Sequence, residues 1–457
     1  MIEYLPEIIV YTPAGHLSWR NPASRNLFRM RSAYCGRGSG GRKRGIAMKA
    51  QTSAGAVVRL LDPTEAKLAA MGVQVEYTTR VRGRVDPDTL AEAFDLLRLR
   101  YPILSCRIAV EEPGRVVFVA DDSAPAIWWH DVGDKPLPEL VDRVAALRVQ
   151  RVDAATVLVT LVVHHAAADG RHGLALTAQL WTDYTALVAG RSIPPYRSEY
   201  PLSLAQLLHD RGIAPGGLAE AVPPGDVASP DIGESSSPST RARVRLTTEQ
   251  TKTLVALGRR THTTINGLVS ATLLRATADV ACVDLSEVRL LYPVDLRARL
   301  SPPLGPTDAT NVLSAAGFRA EPDAPNDAIA LAGAVNDQFA SDLATGELYR
   351  RIPRQFDLTA ASTLGFSSGP TAIMSTNWGV VPPFPTPAAL TITDFVPAIT
   401  YGTRYPHNTL ELTYPRYSCL VTTFDGRLTL DIVTTNDPRG DAHRVDRLLT
   451  DLVPAVQ

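Results

Sequence analysis

The sequence predicts an α/β fold in two units, each a layer of helices packed on a sheet. Helical and strand patterns alternate along the chain, which is the order such a fold requires. Thr156–Val163 (TVLVTLVV) is an unbroken apolar, β-branched run, the pattern of a central strand covered on both faces. At 457 residues the chain exceeds one compact core, and Ala221–Thr240 is rich in Pro, Gly and Ser. Those features divide the chain into an N-terminal domain over 51–220, a linker over 221–240 and a C-terminal domain over 241–457.

The elements follow in order. Asp86 caps a helix and Pro87 suits its first position; Leu90, Phe94, Leu97 and Leu99 keep helical spacing until Pro102. Ile103–Val110 and Arg115–Val119 read as a hairpin around Glu111–Gly114. After the central strand, Arg171–Ala189 is periodic through Leu174, Leu176, Leu180, Tyr184 and Leu187. In the second half, Thr247 and Gln250 form a capping pattern, Ile265–Val280 and Asp327–Leu343 read as helices, and Val288–Val294 as a strand. Ala372–Asn377, Thr391–Val396, Thr409–Tyr414 and Leu428–Thr434 complete the expected strands.

Charge narrows the function classes. Lys plus Arg is 46 and Asp plus Glu is 47, a net charge of -1, so a chain-wide nucleic-acid footprint is absent. No apolar stretch reaches about 18 residues, which argues against an integral membrane segment. Four dispersed cysteines (Cys35, Cys106, Cys282, Cys419) include no CxxC pair, and a cytoplasmic location is expected. Cys106 and Cys419 sit in apolar contexts and read as core thiols. Residues 1–50 differ from the rest: no acidic residue occurs between Glu7 and Asp62, and Gly36–Gly45 is Gly/Arg-rich. This composition is expected to form an unstructured leader, or translated upstream sequence with Met48 as the natural start; the functional alternative is a basic arm for an acidic partner.

The central strand ends in His164-His165-Ala166-Ala167-Ala168-Asp169-Gly170. Two imidazoles emerge where a buried strand becomes a loop, the place where α/β folds commonly hold reactive groups. One His could act as a general base on a hydroxyl or amine. His164, His165 and Asp169 could instead bind a metal, although neighbours on a strand point to opposite faces and seldom share an ion. Both could also be satisfied core residues. GxSxG is absent, which argues against a serine hydrolase.

HHxxxDG resembles the signature of CoA-dependent acyltransferases and nonribosomal peptide condensation domains. Arg100–Arg107 (RYPILSCR) is similar to the "RHPxLRxRF"-type segment of that superfamily, and Pro293-Val294-Asp295-Leu296-Arg297 to the segment that supplies an Arg to the motif's Asp. Within the superfamily, Tyr292–Asn311 (YPVDLRARLSPPLGPTDATN) most resembles the polyketide-associated acyltransferases typified by phthiocerol/phthiodiolone dimycocerosyl transferase. The resemblance runs from about Ala54 to Val453. The plant-type DFGWG motif is missing; Ser375–Gly379 (STNWG) stands in its place.

The resemblance implies two chloramphenicol-acetyltransferase-like α/β sandwich domains in a V-shaped pseudo-dimer, with a tunnel at their seam. It makes His165 the tunnel-facing catalytic base and turns His164 into the domain, as strand alternation also suggests. It pairs Asp169 with Arg297, lets Gly170 admit the donor, and has Asn311 and Asn377 line the tunnel; a turn or capping role is the alternative for each asparagine. His172 and Arg299 are expected to be exposed. The implied reaction moves an acyl group from acyl-CoA, or from an acyl carrier protein of a polyketide synthase, to the hydroxyl of a polyketide-type acceptor. No metal, redox cofactor or acyl-enzyme is implied, and a monomer is expected. Two alternatives stay open: an amide-forming condensation enzyme and a non-catalytic scaffold that docks carrier proteins.

Overall fold

The computed structural model describes residues 55–112, 115–123, 125–132, 140, 143–213, 240–324, 326–355, 369–401, 415–434 and 438–453. The expected leader, nearly all of the linker and the Thr409–Tyr414 strand lie outside the described residues. The first half contains β1 (Val57–Leu60), α1 (Pro63–Ala70), β2 (Val73–Arg82), α2 (Pro87–Arg100), β3 (Cys106–Glu112), β4 (Arg115–Ala120), β5 (Ile127–Asp131), β6 (Ala145–Arg151), β7 (Thr156–His164), α3 (Gly170–Val188) and α4 (Leu204–Asp210). The second contains β8 (Thr240–Arg245), α5 (Thr248–Arg260), α6 (Ile265–Ala281), β9 (Arg289–Asp295), β10 (Leu313–Arg319), α7 (Ala328–Ala344), α8 (Glu347–Gln355), β11 (Gly369–Val380), β12 (Thr391–Tyr401), β13 (Pro415–Phe424), β14 (Arg427–Thr434) and α9 (Arg439–Leu452).

Local chemistry accounts for the helix starts. The Asp86 carboxylate accepts from Thr89 N–H with Pro87 at the first position of α2, and Thr247 and Gln250 form a reciprocal capping box on α5. One expectation needs correction. Ile103–Ser105 belong to a 3₁₀ turn over Pro102–Ser105, and the strand begins only at Cys106. Pro102 fixes its own φ and starts the turn, which Leu104 N–H closes onto the Tyr101 carbonyl at 3.0 Å.

Three sheets result. β7 lies in the middle of the order β12-β2-β7-β6-β5, antiparallel to β2 and β6. On one face Tyr77, Val159, Leu161 and Val163 pack with the α2 and α3 residues Leu90, Phe94, Leu174 and Trp181. Gln74, Glu76, Thr78 and Thr160 are also buried, and they are satisfied by polar partners. Arg148 Nη1 meets Glu76 Oε1 at 2.5 Å, and the hydroxyls of Thr78 and Thr160 share a 2.9 Å bond. The second sheet has the order β10-β9-β11-β13-β14-β8 and is covered by α5, α6, α7 and α9 through Leu254, Leu268, Leu331 and Val445. A small sheet of β1, β4 and β3 flanks the first.

The halves exchange a strand. β12 comes from the second half but pairs along its whole length with β2, from Thr391↔Arg82 to Tyr401↔Val73. A buried ionic cluster ties it back to its own half. Asp431 on β14 accepts from Arg241 Nε at 2.9 Å and Arg243 Nε at 2.7 Å, while Arg243 and Arg245 grip Asp394 on β12. Arg241 Nη2 also donates to the Pro397 carbonyl at 3.0 Å. Among the described residues, no helix is long and apolar enough to cross a membrane.

Burial alone would push the Asp431 carboxyl up, but Arg241 and Arg243 override it and hold the group at about 2. Asp431→Ala leaves the buried Arg241 guanidinium without a carboxylate and Arg243 with Asp394 alone, and is expected to cost about 3–5 kcal/mol in urea unfolding. Because the folded-state value is depressed, this contribution should be intact above the unfolded carboxyl range near ~4 and fade as pH falls towards ~2. A loss below ~1 kcal/mol at pH 7 would show that the cluster does not hold the exchanged strand.

Candidate active site

β7 delivers the HHxxxDG loop because its last residues are locked to neighbours on both sides. His164 N–H donates to the Val144 carbonyl at 2.7 Å, and His165 N–H to the Val73 carbonyl at 2.8 Å. The chain then turns, with Ala167 N–H bonding the His164 carbonyl and Ala166 N–H bonding His164 Nδ1 at 3.1 Å. Since Nδ1 accepts, the His164 proton sits on Nε2. The residue is fully buried, and burial together with neighbouring His165 pulls its pKa down to about 3. His164 is thus a neutral side chain that closes the turn.

His165 is partly buried. Burial lowers its pKa below the ordinary imidazole value, while its own carbonyl, the Asp169 charge and the Asn311 side chain act in the opposite sense. The ring is therefore neutral at pH 7 and able to accept a proton.

Asp169 has two tasks. It is the N-cap of α3, accepting from His172 N–H at 3.0 Å through Oδ1. Oδ2 accepts from Arg297 Nη1 at 2.7 Å and from Val312 N–H at 3.0 Å. Asp169 is 0% exposed and Arg297 4%, so this is a buried pair between the halves. Burial raises the Asp169 carboxyl, but Arg297 and the two backbone donors more than offset that and keep it below its usual value. Arg297 also bonds Asp295 Oδ1 at 3.2 Å, which ties the pair to the end of β9.

The segment Asp308–Val312 is stitched into the first half around this pair. Asp169 N–H donates to the Thr310 carbonyl at 2.9 Å, and Thr310 N–H to the Leu202 carbonyl at 3.0 Å. Thr310 Oγ1 meets Glu65 Oε1 at 2.5 Å, where Glu65 is already fully buried against Arg59. Asn311 Nδ2 donates to the carbonyls of His165 at 2.8 Å and Ala166 at 3.3 Å.

The expected site residues separate on these facts. His165, Asp169, Arg297 and Asn311 come together. Asn311 is 1% exposed and braces the His165 loop from behind. Asn377 lies on β11, where it bonds Asn266 at 3.3 Å and accepts from Gly379 N–H at 2.8 Å at a break in the strand register. The space a Cβ would take at Gly170 is filled by the Trp378 indole at 2.9 Å. His172, expected to be exposed, is 1% exposed; its Nδ1 lies 3.1 Å from the Ala309 carbonyl, so the incoming segment covers it. Arg299 is exposed as expected, but it also lies over the Phe339 ring at 5.4 Å and donates to the Asp295 carbonyl. Sequence reasoning missed Tyr77, whose hydroxyl donates to the Asp169 carbonyl at 3.0 Å, and Glu65. The capping pattern Asp62–Glu65 before α1 was the readable signal for Glu65. Among the described residues no group of three His, Cys, Asp or Glu side chains is placed to hold a metal ion.

Comparison with known proteins places this geometry in context. Residues 235–433 match the family model described as the phthiocerol/phthiodiolone dimycocerosyl transferase C-terminus. A phthiocerol/phthiodiolone dimycocerosyl transferase of Mycobacterium tuberculosis is 32% identical over 319 residues, which cover 64% of this chain and 75% of that protein. The solved structure of polyketide synthase associated protein 5 from Mycobacterium tuberculosis is 25% identical with a TM-score of 0.71, covering 88% of this chain and 100% of the other. The first condensation domain of the CDA synthetase, at 16% identity and a TM-score of 0.58 over 88% of this chain and 97% of that one, shares the fold.

The Asp169–Arg297 pair sets a test. Removing either partner leaves the other charge buried alone, which typically costs about 3–5 kcal/mol. Asp169→Ala and Arg297→Ala should each lower stability on that scale, and the double variant should lose less than the sum. Strict additivity in denaturant unfolding would show that the two are not coupled.

Proposed function

The chain belongs to the phthiocerol/phthiodiolone dimycocerosyl transferase family and is an acyltransferase, and on that premise we propose that it transfers acyl groups to oxygen with His165 as general base. The donor is a thioester on CoA or on the phosphopantetheine arm of a carrier protein. The acceptor is a hydroxyl of a polyketide-type compound. The two substrates approach His165 from opposite ends of a tunnel along the seam between the halves.

The observation that carries this reading is a neutral His165 ring at the end of β7, held by a loop that Asp169, Arg297 and Asn311 brace. In the proposed step His165 removes the acceptor's hydroxyl proton as the oxygen attacks the thioester carbonyl. The tetrahedral intermediate collapses by breaking the C–S bond, and the proton passes from His165 to the departing thiolate. Products are an ester and a free thiol. Asp169 stays ionised throughout, because Arg297 and two backbone donors stabilise its charge, and its work is to fix the loop. Holding donor and acceptor in line supplies much of the rate.

Transfer is direct. Among the described cysteines, Cys106 is buried and its thiol is pushed up to about 12, burial raises Cys419 further, and Cys282 is exposed at the far end of α6. None is an activated nucleophile beside a base.

His165→Ala should reduce turnover by roughly 10²- to 10⁴-fold with the melting temperature unchanged, assayed with a panel of acyl-CoAs and a polyketide-type alcohol. Activity within a few-fold of wild type would overturn the base assignment. Since the base must be unprotonated and its pKa lies below the ordinary imidazole value, kcat/KM should be flat through neutral pH and fall only on the acid side. Double-reciprocal lines should intersect, and intact-protein mass spectra after donor alone should show no acyl adduct. An adduct consumed on adding acceptor would replace direct transfer with an acyl-enzyme.

A further inference from the structure

Among the buried polar atoms at the site that lack partners, two are complementary. His165 Nδ1 is buried without a hydrogen bond, and so is Asn311 Oδ1. Buried polar groups are seldom left unpaired, so each such atom calls for an explanation. The orientation of the Asn311 amide is not free. Its nitrogen must face the carbonyls of His165 and Ala166, because only the NH₂ end can donate to both. The amide oxygen is left as the end with an open acceptor position, on a side chain already anchored to the backbone of His165. Two acceptors act on the ring: the residue's own carbonyl, which already takes an Asn311 N–H, and the Asn311 side chain, whose Oδ1 takes nothing.

We infer that Asn311 is a positioning residue that holds His165 in the Nδ1–H tautomer, with Oδ1 accepting that proton, so that the Nε2 lone pair faces substrate. The inference rests on the reading of His165 as base and adds what sets its tautomer. Asn311 sends its amide N–H groups to the backbone and its oxygen to the ring, so one side chain fixes both the loop and the imidazole plane. Such an outer-shell bond keeps the proton off the working nitrogen and raises the basicity of the ring. The influence of Asn311 on His165 has that sign, opposing the effect of burial. The other groups that act on the ring are its own carbonyl, which already takes an Asn311 N–H, and Asp169, whose charge Arg297 compensates. Of these only the carbonyl could also accept from Nδ1, and the Asn311 variants separate it from Asn311 Oδ1.

Asn311→Leu keeps the volume and removes both functions; Asn311→Asp keeps an acceptor and adds charge. For Asn311→Leu, kcat should fall about 10- to 100-fold with KM within about twofold, on the scale of losing an outer-shell partner. The acid-side inflection of kcat/KM should move to lower pH, since a bond favouring the charged ring is gone. In Asn311→Asp it should move above the wild-type value. A purely structural role would lower activity and leave the inflection in place in both variants, and that result overturns the inference. Should one variant fail to fold, the inflection of the other decides the role of Asn311, and the wild-type enzyme tests the tautomer. Long-range ¹H–¹⁵N spectra of ¹⁵N-histidine protein near neutral pH, with His165 assigned by the signals missing from His165→Ala, should show the Nδ1–H form. An Nε2–H form overturns the inference. That spectrum needs no substrate, so its failure is distinct from a failure of the base assignment, which shows as undiminished activity of His165→Ala.

Discussion

Asp169 begins α3 and ends the loop that carries His165, and its carboxylate is buried away from solvent. The compensating charge comes from Arg297, 128 positions later in the chain. Bringing Arg297 to Asp169 obliges the Asp308–Val312 segment to enter the first half as well, since Val312 N–H and the Thr310 carbonyl bond the same residue. Once there, the segment delivers Asn311 to the His165 backbone and Thr310 to Glu65. The cost of an unpaired buried charge thus organises much of the contact between the halves, and the HHxxxDG loop is shaped from both sides of that contact.

The glycine of the motif takes its meaning from the same contact. Gly170 and Gly173 lie one turn apart on the first turn of α3. A Cβ at Gly170 would meet the Trp378 indole at 2.9 Å, and one at Gly173 would meet the Tyr77 ring at 1.9 Å. Tyr77 and Trp378 are themselves in contact, with ring centroids 5.2 Å apart. The helix start is bare so that two aromatic rings, one from each half, can lie directly against its backbone. Tyr77 uses that closeness to hydrogen-bond the Asp169 carbonyl.

Legibility in the sequence followed the range of the interaction. Features fixed within a few residues were readable: the Asp86 and Thr247 caps, the apolar run of β7 and the helices after Thr264 and Asp327. The hairpin of β3 and β4 was readable except for the 3₁₀ turn at Pro102, because residue types alone do not separate an extended Ile-Leu pair from a tight turn. β2 went unassigned although the alternation of VQVEYTTRVR is a readable strand signal; what that alternation does not show is that its polar residues are buried against partners on other elements. HHxxxDG marked the loop, and the pairing of Asp169 with Arg297 came from family resemblance. The burial of His172 and the bracing role of Asn311 depend on a segment arriving from far along the chain, and nothing local encodes that.

The strand exchange also orders events in time. β2 has β7 on one side, and only β12 closes its other edge, along ten residues of strand. As the chain leaves the ribosome, everything needed for the first sheet but β12 is present once residues 55–213 have emerged. The edge of β2 must then wait for Thr391–Tyr401, made only after residues 214–390. Until that strand arrives, a row of backbone N–H and C=O groups stands open, a ready template for pairing with another chain. N-terminal-first folding, the usual course for a chain of two units, cannot finish here. The first half is a receptacle that the second half completes, so a nascent chain faces its greatest exposure to misassembly during translation of residues 214–390.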